Sequence, residues 1–255
     1  MPTDLTFAQH LTGLHTAMRE LARYAGQAGL DVPVPSCPEW TVRRLVGHQG
    51  AVHRWAAASF RGEDLEWTPI EKAGRSSSDP VEWLRDGAIA LVKVLVDAAD
   101  DAPAPVFLRD APPPKRFWAR RQCHETTMHA VDVLGAALGR LPRADETWLG
   151  DEAGRALALD GIDELLLGFV PRSKSRLRSP EPVTIAVLPT DADDSFTVRV
   201  SDEPPVSTRV TGHEGRATGD LTIEGTAAQL YLALWHRTDE LTSDIWPLWH
   251  GSAVQ

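Results

Sequence analysis

Apolar residues recur at helical spacing through roughly the first 170 residues and then give way, past Pro171, to short β-branched runs. A chain with that change of period folds as a helix bundle followed by something smaller and strand-bearing. Residues 5–28 carry Leu5, Leu11, Leu14, Met18, Leu21 and Ala25 on one face, with Thr3 or Asp4 placed to cap the start. The Pro-rich run 31–38 ends that helix. Thr41 caps a second, reaching about Phe60, with Val42, Leu45, Val46, Val52, Trp55 and Ala56 as its apolar stripe. Gly47 and Gly50 lie inside it and permit close approach of another helix or of a ligand. Residues 61–79 read as polar and irregular, 80–98 as a third helix opened by Pro80, and 100–114 as a Pro-rich connection. A fourth helix covers about 116–138 and a further one 152–169. Four or five helices joined by moderate connections predict a bundle over residues 1–172.

The basic, proline-bracketed stretch 171–182 reads as a linker. Strands are expected at 183–187, 196–200, 206–210 and 217–223, then a short helix at 227–235 started by Thr226. Residues 180–255 are therefore predicted to form a small α+β domain that leans on the bundle, and Trp246 and Trp249 to dock the end of the chain. The fold class is mainly α with a second, smaller α+β domain.

The formal net charge of -10 argues against a nucleic-acid partner, which wants a basic surface. No apolar stretch is long enough to span a bilayer, and residues 1–10 carry no secretory pattern. Two cysteines, Cys37 and Cys123, make no disulfide framework. The expectation is a cytoplasmic protein, without membrane or nucleic-acid partners, acting as a monomer or weak homo-oligomer.

Chemistry concentrates in the fourth helix. Glu125 and His129 stand four residues apart, one turn up the same face, so they can share one divalent metal. A third ligand must come from elsewhere, and His48 is the best candidate because its face carries Leu45, Val52 and Trp55. His53 lies too far around the second helix to join it, and His124 points away from Glu125. Gln122 or Asp132 could support the site, Asp132 by orienting the His129 ring. The same Glu/His spacing also occurs on exposed helices as a weak electrostatic pair. The spacing is not that of the zinc peptidases, because Met128 occupies the place of their second histidine.

Pro38-Glu39-Trp40-Thr41-Val42-Arg43-Arg44-Leu45-Val46-Gly47-His48, with Val52-His53-Arg54-Trp55-Ala56 after it, resembles the first hallmark of the actinobacterial mycothiol-dependent maleylpyruvate isomerase family, within the DinB-like superfamily. Residues 124–132, His-Glu-Thr-Thr-Met-His-Ala-Val-Asp, resemble the second. The likeness continues through Gly225-Thr226-Ala227-Ala228-Gln229-Leu230 and Leu234-Trp235-His236-Arg237, and so covers nearly the whole chain. It implies a DinB-like four-helix bundle with a metal in its core, held by His48, Glu125 and His129. Zinc suits that set best, with nickel, iron and manganese also accommodated. It further implies mycothiol as thiol cofactor, a small acidic electrophilic substrate, and isomerase or S-transferase chemistry in which Arg237 holds a substrate carboxylate. The alternative is a non-catalytic divalent-metal-binding or ligand-sensing protein on the same fold.

Overall fold

The computed structural model describes residues 4–108, 110–212 and 215–250. Helix α1 (Phe7–Ala28) starts at Thr6, whose hydroxyl accepts from the Gln9 N–H while the Gln9 side chain accepts from the Thr6 N–H. That reciprocal cap places the start two residues after Asp4; Thr3 lies outside the described residues. The Pro-rich run after α1 does more than stop it. It forms an antiparallel hairpin of β1 (Pro33–Val34) and β2 (Cys37–Thr41). Helix α2 (Val42–Arg61) follows directly, capped by Thr41 as the sequence predicts.

The segment 61–79, expected to be irregular, contains helix α3 (Trp67–Ser76). Its signal is short: Trp67, Ile70, Glu71 and Gly74 share one face, and polar residues fill the rest. Helix α4 (Pro80–Asp97) has Pro80 in its first turn and Asp79 as cap. Helix α5 (Pro114–Leu138) completes the bundle. Helix α1 packs chiefly on α5, and α2 on α4 and α3. Leu14, Leu21, Leu45, Leu84, Leu91, Leu95, Phe117 and Trp118 fill the interior.

Helix α5 is unusual for a bundle helix, because it buries polar groups along with apolar ones: Arg120, Arg121, Gln122, His124, Thr126, Thr127 and Asp132 are all out of solvent. Burying such groups is costly unless each finds a partner.

Residues 5–107 and 112–142 cluster as one compact unit, and residues 143–212 and 215–250 belong to a second. This division falls earlier than the linker at 171–182. Helix α6 (Glu152–Asp163), which the sequence reading groups with the bundle, belongs to the second unit. The reason is local: α6 packs on α7 (Ala227–Leu234), with Gly161 so close to the Tyr231 ring that a methyl there would overlap it. The helical run does continue to Phe169, but its last six residues, Glu164–Phe169, wind as a π-helix. There the Val170 N–H reaches the Leu165 carbonyl at 2.9 Å.

The second unit carries a four-stranded sheet of β3 (Val183–Pro189), β4 (Ser195–Val200), β5 (Val206–Val210) and β6 (Leu221–Gly225), in the order β5-β4-β3-β6. The β3–β4 and β4–β5 pairs are antiparallel, and β3–β6 is parallel. Thr226 and Gln229 box the start of α7. The last helix, α8 (Trp246–Trp249), docks as expected: Trp249 is buried and its indole N–H donates to the Leu234 carbonyl at 3.0 Å. The protein is thus mainly helical, a helix bundle with a smaller mixed α+β domain. Among the described residues, no helix is long and apolar enough to cross a membrane.

Candidate metal centre

His48 on α2 meets Glu125 and His129 on α5. One ligand atom from each of the three lies within 4.8 Å of the others. Glu125 Oε1 is 3.5 Å from His129 Nε2. Two ligands of one tetrahedral zinc, each bonded at about 2 Å, sit about 3.4 Å apart, so this pair already has the required spacing. The His48 and His129 rings stand edge to face with centroids 5.7 Å apart.

The surroundings orient each group. Arg121, one turn before Glu125 and buried, donates to Glu125 Oε2 at 2.6 Å and leaves Oε1 facing His129. His129 Nδ1 lies 3.0 Å from Asp132 Oδ2. Asp132 is fixed in turn by the Ser36 hydroxyl, which donates to Oδ1 at 2.5 Å from the hairpin turn. His48 Nδ1 is buried and makes no hydrogen bond. Glu71 Oε1 on α3 lies 3.7 Å from it. Trp40 and Trp67 stand edge-on to the His48 ring at 4.8 and 5.3 Å, and the Arg44 guanidinium lies over Trp40 at 4.5 Å.

Protonation follows from this arrangement. Burial, then the neighbouring His129, lowers His48 to about 4, so it is a neutral imidazole ready to bind a metal. Burial opposes a charge on His129, but hydrogen bonds with Asp132 and Glu125 outweigh it and raise the ring to about 9. Loss of solvent likewise opposes ionisation of Glu125, yet Arg121 and His129 hold its carboxyl well below the usual carboxylate range. In the metal-free protein a proton therefore sits between Glu125 and His129, where a cation would be shared. Two imidazoles and one carboxylate whose ligand atoms converge in this way fit a divalent ion.

The other histidines fall where the sequence puts them. His53 is not one of the three converging groups and lies 2.9 Å from Thr126 Oγ1, while the Gln49 amide bridges both. Burial lowers it to about 3, so it is a neutral tie between α2 and α5. His124 lies edge-on to His10 of α1, with centroids 6.2 Å apart. Asp132 supports His129 as anticipated, whereas the Gln122 side-chain oxygen has no hydrogen-bond partner. Sequence reasoning did not reach Ser36, Trp67 or Glu71. Trp67 and Glu71 sit on the helix read as a loop, where only their i,i+4 spacing with Gly74 three residues on could have shown them.

Residues 11–134 match the family model described as the mycothiol maleylpyruvate isomerase N-terminal domain, and residues 156–245 match the MDMPI C-terminal domain. The chain belongs to the mycothiol-dependent maleylpyruvate isomerase family. The gap between the two matches contains the structural division at residue 143. A crystal structure of the mycothiol-dependent maleylpyruvate isomerase superposes with a TM-score of 0.58 at 15% identity, over 96% of each chain. A histidine-to-alanine mutant of it gives the same TM-score at 14% identity, again over 96% of each chain. At that identity the likeness is one of fold. No curated protein sequence matches.

Arg237, the arginine that the family resemblance singles out, lies just after α7 in the second unit. Its N–H bonds the Leu232 carbonyl at 2.8 Å, and Nη1 donates to the Trp235 carbonyl at 2.6 Å. His236 before it adopts a left-handed φ of 59° and stacks on His250 at 4.9 Å. Burial, then the charges of His250 and Arg237, lowers His236 to about 4, so the guanidinium is the charge this turn presents.

Proposed function

We propose that this chain is a metal-dependent enzyme of the mycothiol-dependent maleylpyruvate isomerase type. It applies a small-molecule thiol, mycothiol, to a small acidic electrophilic substrate, by isomerisation or by thiol transfer. The observation that carries this reading is the convergence of His48, Glu125 and His129 from two helices of one bundle. Those three residues would hold the ion, and zinc suits them best. When bound, a divalent ion supplies a Lewis acid that ionises a thiol near neutral pH.

The chain's own groups do the remaining work. Arg121 keeps Glu125 an anion, and Asp132 fixes the His129 ring so that Nε2 faces Glu125. Trp40 and Trp67 line His48 with aromatic surface in place of water. Arg237 offers a planar guanidinium that pairs with a substrate carboxylate through two parallel hydrogen bonds. Addition of the thiolate to an electrophilic C=C carbon, with the π pair moving to the adjacent carbon, is common to both: isomerisation re-forms the double bond and expels the thiolate, whereas transfer ends with a proton on that carbon.

The deciding experiment is a screen of zinc-loaded protein with mycothiol and small unsaturated or otherwise electrophilic acids, wild type beside His48→Ala. Turnover that requires both the metal and His48 supports the reading. Turnover that survives loss of both overturns it. Tight mycothiol binding without turnover of any electrophile would assign the chain to ligand sensing instead.

A further inference from the structure

Helices α2 and α3 touch backbone to backbone. A Cβ added to Gly47 would lie 2.7 Å from the Gly74 carbonyl carbon and 2.9 Å from the Arg75 nitrogen, closer than side-chain atoms pack. Nothing larger than glycine fits at this crossing, and the indole N–H of Trp83 pins it by donating to the Gly47 carbonyl at 3.3 Å. Gly47 adjoins His48. Gly74 is three residues from Glu71 and seven from Trp67, so all three occupy one face of α3. The crossing therefore sets that face against His48: Trp67 stands 5.3 Å from its ring, and Glu71 Oε1 is 3.7 Å from the buried Nδ1 that has no hydrogen bond. Glu71 is itself largely shielded, with 21% of its side chain exposed.

We propose that Glu71 is a positioning residue of the metal centre, delivered by the Gly47–Gly74 crossing to fix the tautomer and aim of His48. This inference rests on the metal-binding reading of the triad. It makes the centre two-sided. Each imidazole is backed by a carboxylate from a different place in the fold, His129 by Asp132 one turn along α5 and His48 by Glu71 across from α3. A proton held on Nδ1 leaves Nε2 as the ligand nitrogen and increases its basicity; loss of such a partner costs 10–100-fold in metal affinity.

The test is zinc and cobalt affinity by chelator competition, with the cobalt absorption spectrum, on wild type, Glu71→Ala and Glu71→Gln. Glu71→Ala is expected to bind about 10–100-fold more weakly with a shifted cobalt spectrum and an unchanged metal-free melting temperature. Glu71→Gln keeps an oxygen that can accept from Nδ1–H, and should recover most of the affinity. Wild-type affinity and spectrum in Glu71→Ala overturn this inference alone. A wild type that takes up no metal overturns the reading of the triad and this inference together.

Discussion

Ser36 donates a 2.5 Å hydrogen bond to Asp132, a residue 96 positions further along the chain. The other oxygen of the same carboxylate is 3.0 Å from His129 Nδ1. The hairpin between α1 and α2, which reads in the sequence as a proline-rich stop, is thereby wired to the candidate ligand set. Hydrogen bonds to a charged group contribute about 1.5–3 kcal/mol. Ser36→Ala is expected to lose about that much stability in urea unfolding and to weaken zinc binding, because Asp132 is less firmly held. Unchanged unfolding and unchanged affinity would show that the hairpin only passes by.

Metal affinity should climb with pH. In the metal-free protein His129 keeps its proton up to about pH 9, and an ion taking Nε2 must displace it. Apparent zinc affinity is expected to rise about tenfold per unit from near neutrality and to level off above about pH 9.

Stability of the metal-free fold should run the other way. A histidine raised from 6.5 to about 9 stabilises the folded state fully below 6.5, and the contribution is lost as pH passes through 9. His48, His53 and His236, lowered to about 4, 3 and 4, are neutral in the fold, and their unfolded rings titrate near 6.5, so they add little slope above about pH 7.5. The melting temperature of metal-stripped protein should therefore fall between about pH 7.5 and 9. A flat profile would mean that His129 is not held between its two carboxylates.

Gly47→Ala and Gly74→Ala should each destabilise the protein by about 1–3 kcal/mol, the usual cost of overpacking. The pair should be less than additive. The first methyl already pushes α3 off α2, so the second meets less resistance. Denaturation of both single variants and the double one measures this, and strict additivity would argue against the shared crossing.

Gly161→Ala offers a control in the second unit. Its methyl would overlap the Tyr231 ring, so α6 and α7 must part, at a cost of about 1–3 kcal/mol. Zinc content should stay at the wild-type level. Loss of metal along with stability would show that the two units fail together.

The helices with long apolar stripes were legible because their period is unmistakable, and Thr41, Pro80 and Thr226 announced their own starts. Glu125 and His129 were legible as a pair because one turn of helix is a fixed geometry. Helix α3 was not, since ten residues with only Trp67, Ile70 and Gly74 as the uncharged members of the inner face give too short a stripe to stand out from a loop. Missing that helix hid Glu71 as well, and left Gly47 open to either a helix or a ligand as its neighbour; the neighbour is the α3 backbone. The placement of α6 failed for a different reason. Helical period says that a helix exists, and only the Gly161–Tyr231 contact says which neighbour it belongs to.

Among the charged side chains that act on the triad are Arg121, Glu71, Glu125 and Asp132. With both imidazoles neutral these four carry a net charge of about two negative units, which a divalent cation held by the triad would offset. In the proposed function a thiolate would tip that balance negative again, and an acidic substrate beside it would need a positive charge to meet.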